Sequence, residues 1–127
     1  MEHPVMFEDD DPVLQRLRSL ALGLPEAEER ISHGRPWFFV QGRAGFAIYG
    51  GGTRNPGKVM HPRSVLVHVD DDERPARQQD PRFFVPAYLG PRGWLGMDLD
   101  LHGTDWAEVG ELLDASWRRH APARLLR

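Results

Sequence analysis

The chain has 127 residues, 40% hydrophobic and 28% charged, with a net charge of −3. That length predicts one domain burying roughly two-thirds of the surface its unfolded chain exposes. The lack of cysteine excludes disulfides, thiolate catalysis and cysteine-ligated zinc, and with no membrane-length apolar run and no basic-then-apolar start the expected location is the cytoplasm.

Five acids (Glu2, Glu8, Asp9, Asp10, Asp11) crowd the first eleven residues without a base. Residues 1–10 read as a flexible acidic tail, and residues 11–127 as the folded domain. Asp11-Pro12 is a helix start, an acceptor side chain followed by proline in the first turn. Val13, Leu14, Leu17, Leu20 and Ala21 follow at helical spacing, and Gly23 and Pro25 stop the helix. A short strand over Glu28 to Ile31 leads into His33-Gly34. Trp37 to Val40 is a second strand, Gln41-Gly42 a tight turn, and Arg43 to Tyr49 the returning strand. Alternation places Phe46 with Ile48 on one face and Ala47 with Tyr49 on the other. Gly50 to Lys58 reads as a long glycine-rich loop with the composition of a wing.

Val65, Val67 and Val69 mark a half-buried strand. Asp70 to Glu73 opens a short helix reaching about Gln79, with Pro75 in its first turn. Phe83 to Leu89 is extended, Gly90 to Gly93 turns, and Leu95, Met97, Leu99 and Leu101 alternate as a further strand. Thr104 or Asp105 caps a last helix, with Glu108 placed as in a capping box. Its apolar stripe is Trp106, Val109, Leu113 and Trp117. Strands joined by turns, flanked by helices, predict an α+β fold: an antiparallel sheet with helices packed on one face.

Charge is segregated. From Arg30 to Val69 there is no carboxylate, while Arg30, Arg35, Arg43, Arg54, Lys58 and Arg63 give the block a formal charge of +6. A field of one sign attracts partners of the other. Arginine forks suit phosphate, and the interleaved aromatics suit unpaired bases. The plain alternative is that Trp37, Phe39, Phe46 and Ile48 are core and the arginines a solvated rim. A second basic cluster, Arg118, Arg119, His120, Arg124 and Arg127, follows largely from the preference of a helix C-terminus for positive charge.

Other motifs are weaker. His68 and Asp70 share a strand face, and His61 could join them, but this spacing is common by chance and no metal is expected. His33 has no nucleophile or orienting carboxylate beside it. Gly50-Gly51-Gly52 lacks the spacing of a phosphate loop. No catalytic residues and no cofactor are expected.

The ordered set Leu24-Pro25, Glu28-Glu29, His33-Gly34-Arg35-Pro36, Phe39-Val40 and Gly42 followed by Phe46-Ala47 resembles the MmcQ/YjbR family. Val67-His68-Val69-Asp70, Asp80-Pro81-Arg82-Phe83, Pro86-Ala87-Tyr88, Gly93-Trp94-Leu95, Leu99-Asp100, Asp105-Trp106 and Ser116-Trp117-Arg118 extend the likeness over about Asp11 to Leu125. The resemblance implies a frataxin-like, double-wing two-layer sandwich, and DNA binding by analogy of fold. It carries no catalytic residues. The chain departs from the family pattern at Gly50 to Arg63, where the connection is longer and more basic, and in its acidic start.

The leading expectation is a non-enzymatic DNA-binding protein contacting phosphates through Arg35, Arg43, Arg54, Lys58 and Arg63. One alternative is a protein-interaction module anchored by Trp37, Tyr88 or Trp94. The other, from the frataxin-like fold, is iron held by Glu8, Asp9, Asp10 and Asp11.

Overall fold

In the computed structural model, which describes residues 4–54 and 56–126, Asp11 starts the first helix, α1 (Pro12–Ala21). Its carboxylate accepts from the N–H of Val13 at 2.9 Å and from the Tyr49 hydroxyl at 2.6 Å. The cap thus ties the helix to the sheet. The strands are β1 (Ala27–Ser32), β2 (Arg35–Val40), β3 (Gly45–Gly52), β4 (Met60–His68), β5 (Phe83–Phe84) and β6 (Trp94–Asp98). A short α2 (Arg74–Gln78) follows β4, and α3 (Trp106–His120) closes the domain. One six-stranded sheet has the order β1-β2-β3-β4-β6-β5, antiparallel throughout. The α+β architecture expected from the sequence is present.

Helices α1 and α3 cover one face. Val13, Leu14 and Leu17 of α1 and Val109, Leu113 and Trp117 of α3 pack on Phe38, Tyr49, Val65, Val67 and Leu95. Ser116 sits inside this layer, fully buried. It donates to Phe46 O (2.6 Å) and accepts the His68 N–H (3.1 Å), so it pins α3 to β3 and β4.

The other sheet face carries no α-helix among the described residues. It has its own small apolar cluster of Ile48, Leu66 and Trp94, with Trp37, Phe84 and Leu89 packed against it. Part of its cover is chain between β5 and β6. Ala87 N–H donates to Gly52 O (2.8 Å), which straps residues 86–89 across the end of β3.

Three local expectations are corrected. Phe46 does not share a face with Ile48: the register shifts between Phe38 and Phe39, and Phe46 joins the helix-side core with Ala47 and Tyr49. The triple glycine is strand rather than loop. β3 runs through Gly52, and the connection shrinks to a turn closed by Thr53 N–H to Val59 O and Val59 N–H to Thr53 Oγ1, each at 2.9 Å. Of the stretch expected to be extended from Phe83 to Leu89, only Phe83–Phe84 pairs as strand. The expected acidic tail makes contacts from Met6 onward. Met6 N–H donates to Gly34 O (2.9 Å), Phe7 packs on the core, and Asp9 pairs with Arg18 (2.7 Å).

Candidate functional site: a groove on the uncovered sheet face

Gly50 has φ +85°, a conformation that favours glycine. A Cβ there would collide with Nη1 of Arg35, so the missing side chain is what lets the guanidinium lie on the β3 backbone. A Cβ at Gly51 would come within 3.1 Å of Leu66, and one at Gly52 within 3.1 Å of Met60. The three glycines therefore floor a groove of about 550 Å³ on the uncovered face. Arg35 and Trp37 stand on one side, the strap Pro86–Leu89 on the other, and Met6, His33, Lys58 and Met60 also line it. Among the described residues no Asp or Glu contributes to the lining. The size falls in the range of small-molecule sites.

Two features of the walls are costly in isolation. Arg35 is half-buried, and burial lowers its pKa from the ordinary arginine value. Among the described residues it has no ion-pair partner. The indole N–H of Trp37 is buried and likewise lacks an acceptor among the described residues. Tyr88 forms part of the rim and is 87% exposed. Its φ is +67°, held by Leu89 N–H donating to Ala87 O (2.7 Å), a γ-turn of the strained hand.

The acid-free block divides on this scaffold. Arg30 reaches Glu28 and lies over the ring of Phe39. Arg63 stands 3.5 Å from Asp11, so it belongs with the α1 cap rather than the groove. Arg35 and Lys58 meet in the groove, and Arg54 is exposed on the adjoining turn. Arg43 lies in the β2–β3 turn at the other end of the sheet, roughly 25 Å away along the strand, where its charge adds to burial and Arg119 in lowering the pKa of His120. Arg35, Arg43, Arg54 and Lys58 have no ion-pair partner among the described residues. Most other arginines are paired, for example Arg82 with Asp80 and Glu108, Arg119 with Asp70 and Arg124 with Glu26.

A model of the YjbR family matches residues 22–119, most of the chain. The protein belongs to the MmcQ/YjbR family. Its fold is similar to the crystal structure of the Deinococcus radiodurans protein DR2400, described with a DUF419 domain, at a TM-score of 0.59. Identity there is 19%, over 84% of this chain and 78% of that one, so the likeness concerns the fold. No curated protein matches the sequence. Within this YjbR-family domain the groove lies on the sheet face opposite the helices.

The weaker motifs do not assemble. His61 lies 2.7 Å from Asp98 and stacks on Phe84, whereas Asp70 pairs with Arg119. Of the carboxylates considered for iron, Asp11 is the α1 cap and Asp9 pairs with Arg18. Among the described residues no three His, Asp or Glu side chains group as metal ligands. Trp94, a suggested partner anchor, is buried in the small cluster, where it stacks on His68.

That histidine has a pH consequence. His68 lies 3.3 Å from His120; Arg119 and Arg74 add positive charge, and Asp70 opposes them. Burial first, then these cations, lower its pKa to about 4. The unfolded chain binds that proton near pH 6.5, so stability is lost as pH falls through the window from about 6.5 to 4. His120 shifts in the same direction. The urea midpoint should fall between about pH 7.5 and about pH 5, and His68→Gln should flatten that decline. An unchanged decline in the variant would refute the assignment to His68.

Proposed function

We propose that this YjbR-family protein binds single-stranded DNA along the uncovered face of the sheet. The reading is carried by one observation: three exposed cations without ion-pair partners among the described residues, Arg43, Arg54 and Lys58, stand at the two ends of the hairpin that carries the half-buried Trp37 and Phe39. Arg54 and Lys58 stand at one end of the β2–β3 hairpin with Arg35 recessed beside them, and Arg43 at the other. Trp37 and Phe39 lie between, with ring centroids 6.1 Å apart. Cations hold the backbone by phosphate contact, and exposed ring faces accept bases regardless of sequence. Arg63 drops out of the contact set, being next to Asp11.

Anisotropy of a labelled oligothymidylate, titrated at rising salt, is the test. With the three phosphates at Arg43, Arg54 and Lys58 engaged, log affinity against log salt should have a slope of about −2. Arg43→Ala with Arg54→Ala should make the slope shallower by about 1.4. No binding at low salt, or binding indifferent to salt, would overturn the reading.

One observation favours a protein partner instead. Exposed Tyr88 and Met60 line the groove, and Val59 beside Met60 is exposed as well, giving its mouth an apolar rim. Oligonucleotide binding weakened by Tyr88→Ser at an unchanged salt slope would place Tyr88 in the strand site rather than in such an interface.

A further inference from the structure

We propose that the groove is also a binding pocket for a small organic carboxylate with an apolar body, its carboxylate held by Arg35. This goes beyond strand binding, which rests on the exposed cations of the hairpin and its turn. Arg35 is half-buried in the groove, whereas Arg54 and Lys58 are exposed. A guanidinium drawn out of water without a counter-charge is unfavourable until an anion reaches it. The walls are built for that event. Among the described residues they contain no carboxylate that would compete, and the missing side chain of Gly50 leaves room for the guanidinium against the strand. Its planar fork matches the two oxygens of a carboxylate.

The remaining lining selects the body of the ligand. Ile48, Leu66, Met60, Ala87 and Leu89 offer apolar contact. A carboxylate on a planar or branched hydrocarbon fits both halves. The strap that forms the far wall is fixed to β3 through Ala87 and Gly52, so the pocket exists before the ligand arrives.

The test is a titration of the isotopically labelled full chain with 2-naphthoate and, separately, with 2-naphthamide, which has the same shape without the charge. Naphthoate should bind saturably and shift the Trp37 indole and the Gly50 to Gly52 amide resonances. Naphthamide should bind at least about tenfold more weakly. Arg35→Gln should abolish that preference. Arg35→Lys, which keeps the charge and loses the fork, should retain part of it, and the same spectra show that each variant is folded. Arg43→Ala with Arg54→Ala should leave naphthoate affinity within about twofold while weakening oligothymidylate binding, so that failure of one reading is separable from failure of the other. No saturable naphthoate binding, equal affinity for the amide, or wild-type affinity in Arg35→Gln would overturn the pocket.

Discussion

Ser116→Ala should destabilise the protein by about 3 kcal/mol, a large loss for a buried substitution that removes a single oxygen. The hydroxyl makes two bonds at once, donating to Phe46 O and accepting from His68 N–H, in a place with no solvent exposure. Removing it leaves a carbonyl and an amide N–H unpaired, at about 1–3 kcal/mol each. It also releases the end of α3 from the two central strands. Urea unfolding should show a lower midpoint at unchanged slope, and the melting temperature should drop by about 10 °C. A loss below about 1 kcal/mol would mean that the two backbone groups find other partners. Ser116→Thr, which keeps the hydroxyl but adds a methyl to a filled layer, should cost less than the alanine change if hydrogen bonding dominates.

Gly50→Ala is expected to leave a folded protein that has lost the groove's anion site. The informative comparison is Gly42→Ala. Gly42 also has positive φ, +74°, but nothing lies within 4 Å of a Cβ built there. Both substitutions carry the backbone cost of an alanine in the left-handed region, about 1–2 kcal/mol. Only at Gly50 does the new methyl occupy the place of the Arg35 guanidinium. The end of an arginine moves easily, so the extra stability cost is small and the functional cost is not. Naphthoate affinity should fall at least about tenfold in Gly50→Ala and stay near wild type in Gly42→Ala. Equal affinities in the two variants would separate Arg35 from the ligand.

These two glycines show how far the amino-acid sequence could be read. Gly42 sits in the turn its neighbours predict. Gly50 to Gly52 look like a loop because glycine weakens a strand that has no use for the missing side chain. Here there is a use: Arg35, Leu66 and Met60 come from other parts of the sheet to fill that space, and only the three-dimensional pairing of β2, β3 and β4 reveals it. Simple alternation misplaces Phe46 for a related reason, since a register shift between Phe38 and Phe39 changes which face the next residue meets. Where local chemistry is sufficient, expectation and structure agree. Asp11 and Asp105 both cap helices, and Val65, Val67 and Val69 all face the core.

The site was legible in part. A missing set of acids between Arg30 and Val69 is visible in one dimension, and it marks Arg35 and Lys58, which do share the groove. It cannot separate them from Arg63, whose neighbour Asp11 lies 52 positions earlier in the chain and meets it only through α1 and β4. Nor does it locate Tyr88, whose role on the rim depends on a strap that crosses back to Gly52. The serine at 116 belongs to the family pattern in the sequence; its reason, two backbone partners on adjacent strands, belongs to the fold.

Hydrogen–deuterium exchange of the protein with and without saturating oligothymidylate tests most directly whether the uncovered sheet face is where this protein binds. Protection is expected in Arg35–Val40 and in the stretch from Gly50 to Lys58, with the outer surfaces of α1 and α3 unchanged. Protection confined to α1 or α3, or none at saturation, would contradict it.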